Sequence, residues 1–280
     1  MSNLAVVFPG QGSQSVGMLS ELISAYPVVK DTFTEAGEVL GYDLLDLTQN
    51  GPAEELNKTF RTQPAILTAS YAIWKLYQEK HGAEPLALAG HSLGEFSALV
   101  AAGALSFEDG LRLVHARAMA MQKACEAAPG TMAAIIGLPD EKVEELCAAA
   151  STENNVAVPA NYNCPGQLVI SGNVEAINAA CEKMKEAGAK RALPLKVGGA
   201  FHSPLMQPAK DELQAAIENT EFKEPKCPVY QNVDAKPYTN PADIKANLIA
   251  QLTSAVRWTA SVQNMIADGA DDFTECGPGK

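Results

Sequence analysis

The sequence LALAGHSLGEFSAL, residues 86–99, places one serine, Ser92, between two glycines. The apolar residues 86–89 are typical of a buried strand that stops at Gly90, and the residues after Gly94 favour a helix. A Gly-x-Ser-x-Gly pattern between a strand and a helix is typical of a nucleophile elbow, because small neighbours allow the sharp turn that carries the serine. The first amides of the helix also favour negative charge beside that serine. The stretch predicts a nucleophilic Ser92, with a glycine-rich turn and a helix-capping serine as the alternative.

The composition is that of a soluble globular protein of one or two domains, with 280 residues of which 47% are hydrophobic. No apolar run approaches the roughly 20 residues that a membrane helix needs. The first residues resemble neither the basic region nor the cleavage site of a signal peptide. The formal net charge of −12 argues against nucleic acid and anionic membranes as partners. We therefore expect a cytoplasmic protein that binds neither.

The cysteines and histidines predict neither a disulfide framework nor a metal site. The six cysteines contain no Cys-x-x-Cys pair, which favours unpaired thiols in a reducing cytoplasm. The four histidines show no metal-ligand spacing with one another or with the cysteines.

Strands and helices alternate in the first part of the chain. Residues 4–8 form an apolar run that ends at Pro9-Gly10 and predict a buried strand. Ser106 is followed by acidic residues and predicts the N-cap of a helix. Residues 229–233 and 272–276 supply further strands. This order indicates a layered α/β domain with a mainly parallel sheet.

The middle of the chain has a different pattern. The predicted elements are a strand at 132–136, a helix at 140–150, strands at 156–160 and 167–170 joined by a turn at 161–166, a helix at 173–187 and a strand at 191–197. The order β-α-β-β-α-β is the ferredoxin-like split pattern. We therefore predict a small ferredoxin-like subdomain at residues 128–197, inserted into a large α/β subdomain formed by residues 1–127 and 198–280.

A nucleophilic serine needs a base that removes its proton, and three histidines are candidates. His91 adjoins the serine, so its side chain should leave the turn in another direction. His115 lies near the apolar face of a predicted helix, where a structural role is favoured. His202 lies in a loop after a predicted strand and downstream of the serine, which is the chain order of hydrolase-like enzymes. His202 is therefore the preferred candidate for the base, although a structural role would also explain a histidine in a loop.

Four separated motifs resemble the malonyl-CoA:acyl-carrier-protein transacylase family. They are FPGQGSQ at 8–14, GHSLGE at 90–95, RAMAMQ at 117–122 and GAFHS at 199–203. The resemblance covers nearly the whole chain and implies an α/β-hydrolase-like large subdomain with an inserted ferredoxin-like small subdomain, in agreement with the element pattern. Family members extend beyond the position of Lys280, so we expect the last helix of the large subdomain to be absent here, which concerns stability more than the site.

The resemblance implies the parts of a catalytic centre. Ser92 would be the nucleophile and His202 the general base. A backbone carbonyl at Gln251, in place of a carboxylate, would orient the imidazole. The amides of Gln11 and Leu93 would form the oxyanion hole, which suits a glycine-rich loop and a helix start.

The resemblance also implies how the acyl group is chosen. Arg117 would hold the free carboxylate of a malonyl group in two parallel hydrogen bonds, which a lysine cannot reproduce. Without the resemblance, an arginine at the edge of an apolar helix stripe is explained by snorkelling. Phe201 would narrow the acyl pocket, and Met121, Asn161 and Asn163 would also contact the substrate.

The implied activity is transfer of a malonyl group from malonyl-CoA to the phosphopantetheine thiol of acyl carrier protein. The reaction would pass through a malonyl-serine, use no metal or other cofactor, and supply extender units for fatty-acid biosynthesis. In this family the carrier protein is acidic, so an acidic enzyme needs a local basic docking surface. The candidates are Lys190, Arg191 and Lys196.

Three alternatives remain. The first is a serine esterase or thioesterase, including a patatin-like Ser-Asp hydrolase with Asp109 or Asp268 as its aspartate, although helix capping already explains Asp109. The second is an idle interaction domain, against which the intact Ser92, His202 and Arg117 argue. The third is a malonyl transferase that serves polyketide assembly, which the sequence does not separate from one that serves fatty-acid synthesis.

Overall fold

A computed structural model of the chain describes residues 3–195 and 197–279. Its strands are β1 (Leu4–Phe8), β2 (Ala87–Gly90), β3 (Gly130–Ile136), β4 (Ala157–Cys164), β5 (Gln167–Asn173), β6 (Arg191–Pro194), β7 (Val229–Tyr230), β8 (Pro237–Tyr238) and β9 (Asp272–Glu275). Its α-helices are α1 (Ser20–Ala25), α2 (Pro27–Leu40), α3 (Leu44–Asn50), α4 (Ala53–Leu56), α5 (Thr59–His81), α6 (Leu93–Ala101), α7 (Phe107–Ala127), α8 (Asp140–Ala150), α9 (Val174–Glu186), α10 (Gln207–Glu218), α11 (Pro241–Gln251) and α12 (Trp258–Ala267), and Pro204–Met206 forms a 3-10 helix. In the part of the chain so described, no helix is both long and apolar enough to span a membrane.

The larger sheet has the strand order β8-β7-β2-β1-β9. β1 pairs in parallel with β2 and β9, β2 pairs in parallel with β7, and only the short β8 is antiparallel to its neighbour. Every residue of β2 is buried, as expected for a parallel strand that is covered on both faces. The predicted mainly parallel sheet is confirmed.

The smaller sheet has the order β4-β5-β3-β6, and all of its pairs are antiparallel. Apolar residues of α8 and α9 share a separate buried cluster with this sheet. The connection β-α-β-β-α-β confirms the predicted ferredoxin-like pattern. All four strands lie within residues 128–197, while the exact subdomain boundaries remain a prediction.

The predicted turn at 161–166 is wrong in its first four residues, because β4 continues through Cys164 and leaves a two-residue turn at Pro165-Gly166. The local turn signal is overridden by pairing with β5 and by a second partner from the large subdomain. The Tyr162 amide donates to the Val256 carbonyl (2.9 Å), and the Val256 amide donates to the Ala160 carbonyl (2.8 Å). β4 therefore pairs both with β5 and with the segment at Val256, which lies outside both sheets.

Three predicted strands end earlier than expected. The strand predicted at 191–197 ends at Pro194, and the one predicted at 272–276 ends at Glu275. β7 ends at Tyr230, because the next two amides bond elsewhere: that of Gln231 to the Lys236 carbonyl and that of Asn232 to the Glu95 carboxylate.

Candidate active site

The turn between β2 and α6 carries Ser92 in a backbone conformation that residues other than glycine rarely adopt, with φ 52° and ψ −103°. A conformation of this kind costs about 1–3 kcal/mol and is retained mainly at functional sites. Both flanking glycines are required by close approach. A Cβ on Gly90 would lie 1.9 Å from the Gly94 carbonyl, and a Cβ on Gly94 would lie 2.2 Å from the Phe8 carbonyl oxygen. The local sequence therefore builds the predicted elbow.

His202 lies against the serine. Its Nε2 is 2.7 Å from Ser92 Oγ, and its Nδ1 is 3.0 Å from the Gln251 carbonyl oxygen and 3.2 Å from that of Ser254. Since carbonyls only accept, Nδ1 must carry the hydrogen, which leaves Nε2 to accept the Ser92 hydroxyl proton. Burial, together with the charge of Arg117, lowers the pKa of His202 to about 3. The imidazole is therefore neutral at pH 7 and ready to act as a base.

The guanidinium of Arg117 lies inside the site and does not snorkel, because the residue is only 1% exposed. Nη2 donates to Ser92 Oγ and to Gln251 Oε1, both at 3.0 Å, and Nη1 donates to Gln63 Oε1 at 2.8 Å. Nε is buried without a hydrogen-bond partner, and no ion pair among the described residues includes Arg117. Burial lowers its pKa to about 10, so the side chain remains a cation at neutral pH.

The side chains of Ser92, His202 and Arg117 line a cavity of about 510 Å³. The other predicted site residues that line it are Gln11, Leu93, Met121, Phe201 and Asn161. Gln251 is buried behind it. Asn163 is not among the lining residues: its Oδ1 lies 2.9 Å from Nε2 of His91, which does line the cavity.

The predicted oxyanion donors lie on two loops that approach each other closely. Gln11 follows β1, and Leu93 is the first residue of α6. A Cβ on Gly10 would lie 2.6 Å from the His91 carbonyl oxygen, so only glycine lets the first loop come this near the elbow. Among the described residues, neither the Gln11 amide nor the Leu93 amide donates to another protein group. Both are available to a substrate oxygen.

Neither aspartate of the hydrolase alternative contacts His202. Asp109 accepts a hydrogen bond from the Ser106 hydroxyl (2.6 Å) at the start of α7, as its capping role requires. Asp268 accepts a hydrogen bond from the Tyr230 hydroxyl. The geometry thus offers no Ser-Asp pair of the patatin-like kind at these positions.

The sequence prediction missed three polar residues that hold the site together. Gln63 bonds Arg117, Ser254 supplies the second carbonyl to His202, and the Oδ1 atom of Asn232 accepts a hydrogen bond from the Ser92 amide at 2.7 Å. The only sequence signal for Gln63 is that a polar residue lies in the part of α5 that is buried. For the other two, no local pattern signals the contact, because each partner is far away in the chain.

The comparisons with known proteins agree over the whole chain. The family model for the acyl transferase domain matches residues 5–278. A malonyl CoA-acyl carrier protein transacylase of Salmonella typhimurium is 51% identical over 280 residues, which cover 100% of this chain and 90% of that relative. The solved structure of an acyl carrier protein S-malonyltransferase from Vibrio cholerae has 53% sequence identity and a TM-score of 0.96, and the match covers 100% of this chain and 91% of that chain.

A further solved structure contains a malonyl-transacylase in complex with a type II polyketide synthase acyl-carrier protein. It has 49% sequence identity and a TM-score of 0.96, and the match covers 99% of this chain and 90% of that one. These findings confirm the resemblance seen in the motifs. The chain therefore belongs to the acyl transferase domain family.

Proposed function

We propose that this protein transfers a malonyl group from malonyl-CoA to the phosphopantetheine thiol of acyl carrier protein. The observation that carries the proposal is the cation beside the nucleophile: Arg117 Nη2 lies 3.0 Å from Ser92 Oγ in a common cavity. That spacing suits an acyl group in which one methylene separates the thioester carbonyl from a carboxylate. An uncharged acyl group would leave the guanidinium without its anion, and unpaired buried polar groups are an effective means of rejecting a substrate.

The first half of the proposed reaction loads the enzyme. Ser92 Oγ attacks the thioester carbonyl while His202 Nε2 takes the hydroxyl proton, and the amides of Gln11 and Leu93 hold the oxyanion. When the C–S bond breaks, the CoA thiolate receives that proton from His202. The products are malonyl-Ser92 and free CoA, and the imidazole is neutral again.

The second half repeats the same steps in reverse order. The phosphopantetheine thiol gives its proton to His202 as its sulfur attacks the malonyl ester, and the Ser92 alkoxide leaves and recovers the proton. One thioester is exchanged for another, so the proposed reaction needs no metal or other cofactor. We place it in the reducing cytoplasm, which is supported by six cysteines that are all unpaired.

The proposed partner is supported by the relatives, one of which was solved together with an acyl-carrier protein. The predicted docking residues Lys190 and Arg191 are exposed at the start of β6, and Leu195, just after that strand, lines the cavity. An acyl carrier protein bound beside β6 would have a short path for its phosphopantetheine group into the cavity. The third predicted docking residue, Lys196, lies outside the described residues.

Incubation with malonyl-CoA distinguishes the candidate functions. A transferase gives a lasting mass increase of one malonyl group that Ser92→Ala abolishes, and added carrier protein removes it. A hydrolase releases malonate, and a binding module gives neither product. An adduct that persists in Ser92→Ala would refute the assignment of the nucleophile. Transfer to carrier proteins of the same organism, tested one at a time, separates fatty-acid synthesis, which we favour, from polyketide assembly.

A further inference from the structure

A buried carboxyl group lies next to the nucleophile and takes no part in the steps above. Glu95 belongs to the first turn of α6, and the residue is 0% exposed. Its Oε1 accepts a hydrogen bond from Gln231 Nε2 at 3.1 Å, and its Oε2 accepts one from the backbone N–H of Asn232 at 2.6 Å. Both oxygens therefore face N–H donors, which is the arrangement that an ionised carboxylate requires.

This carboxyl group is costly to keep. No ion pair among the described residues includes Glu95, and burial raises its pKa to about 7, although the hydrogen bonds to the carboxyl group and the charge of Arg117 act in the opposite direction. A buried carboxylate without a cation in direct contact destabilises the folded state. Conflicts of this kind are expected where function requires the group.

Asn232 connects the carboxyl group to the nucleophile. Its Oδ1 accepts a hydrogen bond from the Ser92 amide, and its Nδ2 donates one to the Gly90 carbonyl, both at 2.7 Å. The side chain thus joins the Gly90 carbonyl to the Ser92 amide, across His91 and directly before the bond at which Ser92 has its positive φ. The Ser92 amide precedes the helix and has no intrahelical acceptor, so Asn232 supplies its bond.

The imidazole of His202 makes no hydrogen bond to Glu95. The Nδ1 atom of His202 donates to the carbonyls of Gln251 and Ser254, so the imidazole is oriented without a carboxylate. Two residues connect the Glu95 carboxyl group to the Ser92 backbone: Asn232, which reaches the Ser92 amide, and Gln251, whose Nε2 donates to the Ser92 carbonyl at 3.0 Å. Only the Asn232 route ends at the amide of the nucleophile.

We propose that Glu95 and Asn232 are positioning residues for the nucleophile: the carboxylate fixes the Asn232 backbone, and the Asn232 side chain holds the Ser92 amide so that Oγ stays aligned with His202. The proposal rests on Ser92 being the nucleophile of the proposed function. It explains why the group must be a carboxylate. A glutamine at position 95 would turn an NH2 group towards a donor, and one of the two bonds would be lost.

The neighbouring Gln231 cannot correct that loss by rotating its own amide. Its Nε2 also donates to the Ile244 carbonyl (3.2 Å), and its Oε1 accepts a hydrogen bond from Asn247 Nδ2 (2.9 Å). Rotation would break both bonds.

The test compares Glu95→Gln, Asn232→Ala and the double variant in single-turnover acylation by malonyl-CoA. Each single variant should lower the maximal acylation rate at least about tenfold, the effect of one hydrogen bond lost in the transition state. The half-saturating malonyl-CoA concentration should change little, because Arg117 and the cavity are intact. The double variant should be no slower than the slower single variant, since both changes break one chain of contacts.

The matched control is Glu108→Gln, which removes an exposed glutamate from the first turn of α7 and should acylate at the wild-type rate. Thermal unfolding at pH 8 separates positioning from a purely structural role: Glu95→Gln should unfold no earlier than wild type while it acylates slowly. Asn232→Asp keeps the acceptor for the Ser92 amide, so it should acylate faster than Asn232→Ala.

A phenylmethylsulfonyl fluoride assay of Ser92 separates failure of this proposal from failure of the proposed function, since the probe carries no malonyl group. If wild type reacts with the probe but not with malonyl-CoA, the proposed function fails, and the variants are then ranked with the probe. Wild-type reactivity of Glu95→Gln in both assays would overturn the positioning role. So would a double variant whose loss is the product of the two single losses, or equal rates for Asn232→Asp and Asn232→Ala.

Discussion

Replacing Arg117 by alanine should change which acyl group the enzyme accepts. The guanidinium now shares its donors among Gln63, Gln251 and Ser92 Oγ, and all of these acceptors are uncharged. A malonyl carboxylate would replace them as a charged acceptor. The variant also loses the bond from Nη2 to Ser92 Oγ, so acylation by any thioester should slow somewhat. The ratio of malonyl to acetyl loading therefore isolates the role of Arg117 in selection.

The magnitude follows from the two donors that a carboxylate can engage. Each hydrogen bond to a charged group contributes roughly 1.5–3 kcal/mol, so Arg117→Ala should lose about 3–6 kcal/mol of malonyl binding in the transition state. Since about 1.4 kcal/mol corresponds to a tenfold rate change, kcat/KM for malonyl-CoA should fall roughly 10²- to 10⁴-fold. Arg117→Lys should recover only part of this, because an ammonium group cannot form the planar two-bond contact.

The assay is a competition between malonyl-CoA and acetyl-CoA, read from the masses of the two acyl-enzymes after folding has been checked. Arg112→Ala is the matched control, because Arg112 lies on the same helix, is exposed and pairs with Glu108. Its acyl preference should equal that of wild type. If wild type, Arg117→Ala and Arg117→Lys all show one acyl preference, Arg117 is structural and the hydrolase alternative is strengthened.

Three further changes have definite expected outcomes. Phe201→Ser should shift the preference for malonyl over methylmalonyl by about 1–3 kcal/mol, measured by competition, because a pocket wall is removed; an unchanged preference would make Phe201 ordinary packing. Charge reversal at Lys190 and Arg191 should slow transfer to carrier protein and spare acylation by malonyl-CoA, whereas equal loss in both half-reactions would contradict docking there. Glu95→Gln should gain stability over wild type as pH rises. The pKa of Glu95 is raised from 4.5 to about 7 in the folded state, so between these pH values the folded state binds more protons than the unfolded state. The wild-type free energy of unfolding should therefore fall by about 3 kcal/mol relative to the variant as the pH rises through this window. Urea titrations at several pH values measure this difference, and a difference that does not change with pH would contradict the raised pKa.

The elbow could be predicted because its sequence signature is local. The two glycines are needed where Gly90 and Gly94 nearly touch, and an apolar run followed by a helical pattern defines the strand and the helix on either side. The smaller sheet could be predicted for the same reason, because the order of strands and helices in the middle of the chain indicates the ferredoxin-like pattern. Neither inference needed knowledge of contacts between distant segments.

Contacts between distant segments explain why the turn predicted at 161–166 was wrong and why the support of Ser92 by Asn232 was missed. An Asn-Tyr-Asn-Cys-Pro-Gly segment is locally a turn, yet pairing with β5 and with Val256 extends β4 through most of it. Asn232 is separated from Ser92 by 140 positions, and an asparagine after a short strand is otherwise typical of a turn. Hydrogen bonds of this kind are set by the assembled fold.

The use of carbonyls behind His202 has an electrostatic consequence for selection. A carboxylate in that position would add a negative charge next to Arg117, whose Nη2 already bonds the side chain of Gln251. Its charge would offset part of the positive charge of the guanidinium and so weaken the attraction for the carboxylate of the substrate. A carbonyl orients the imidazole through the same hydrogen bond and adds no net charge. The base is therefore held in place while the buried cation stays available, so the site can combine acyl transfer with recognition of an anionic acyl group.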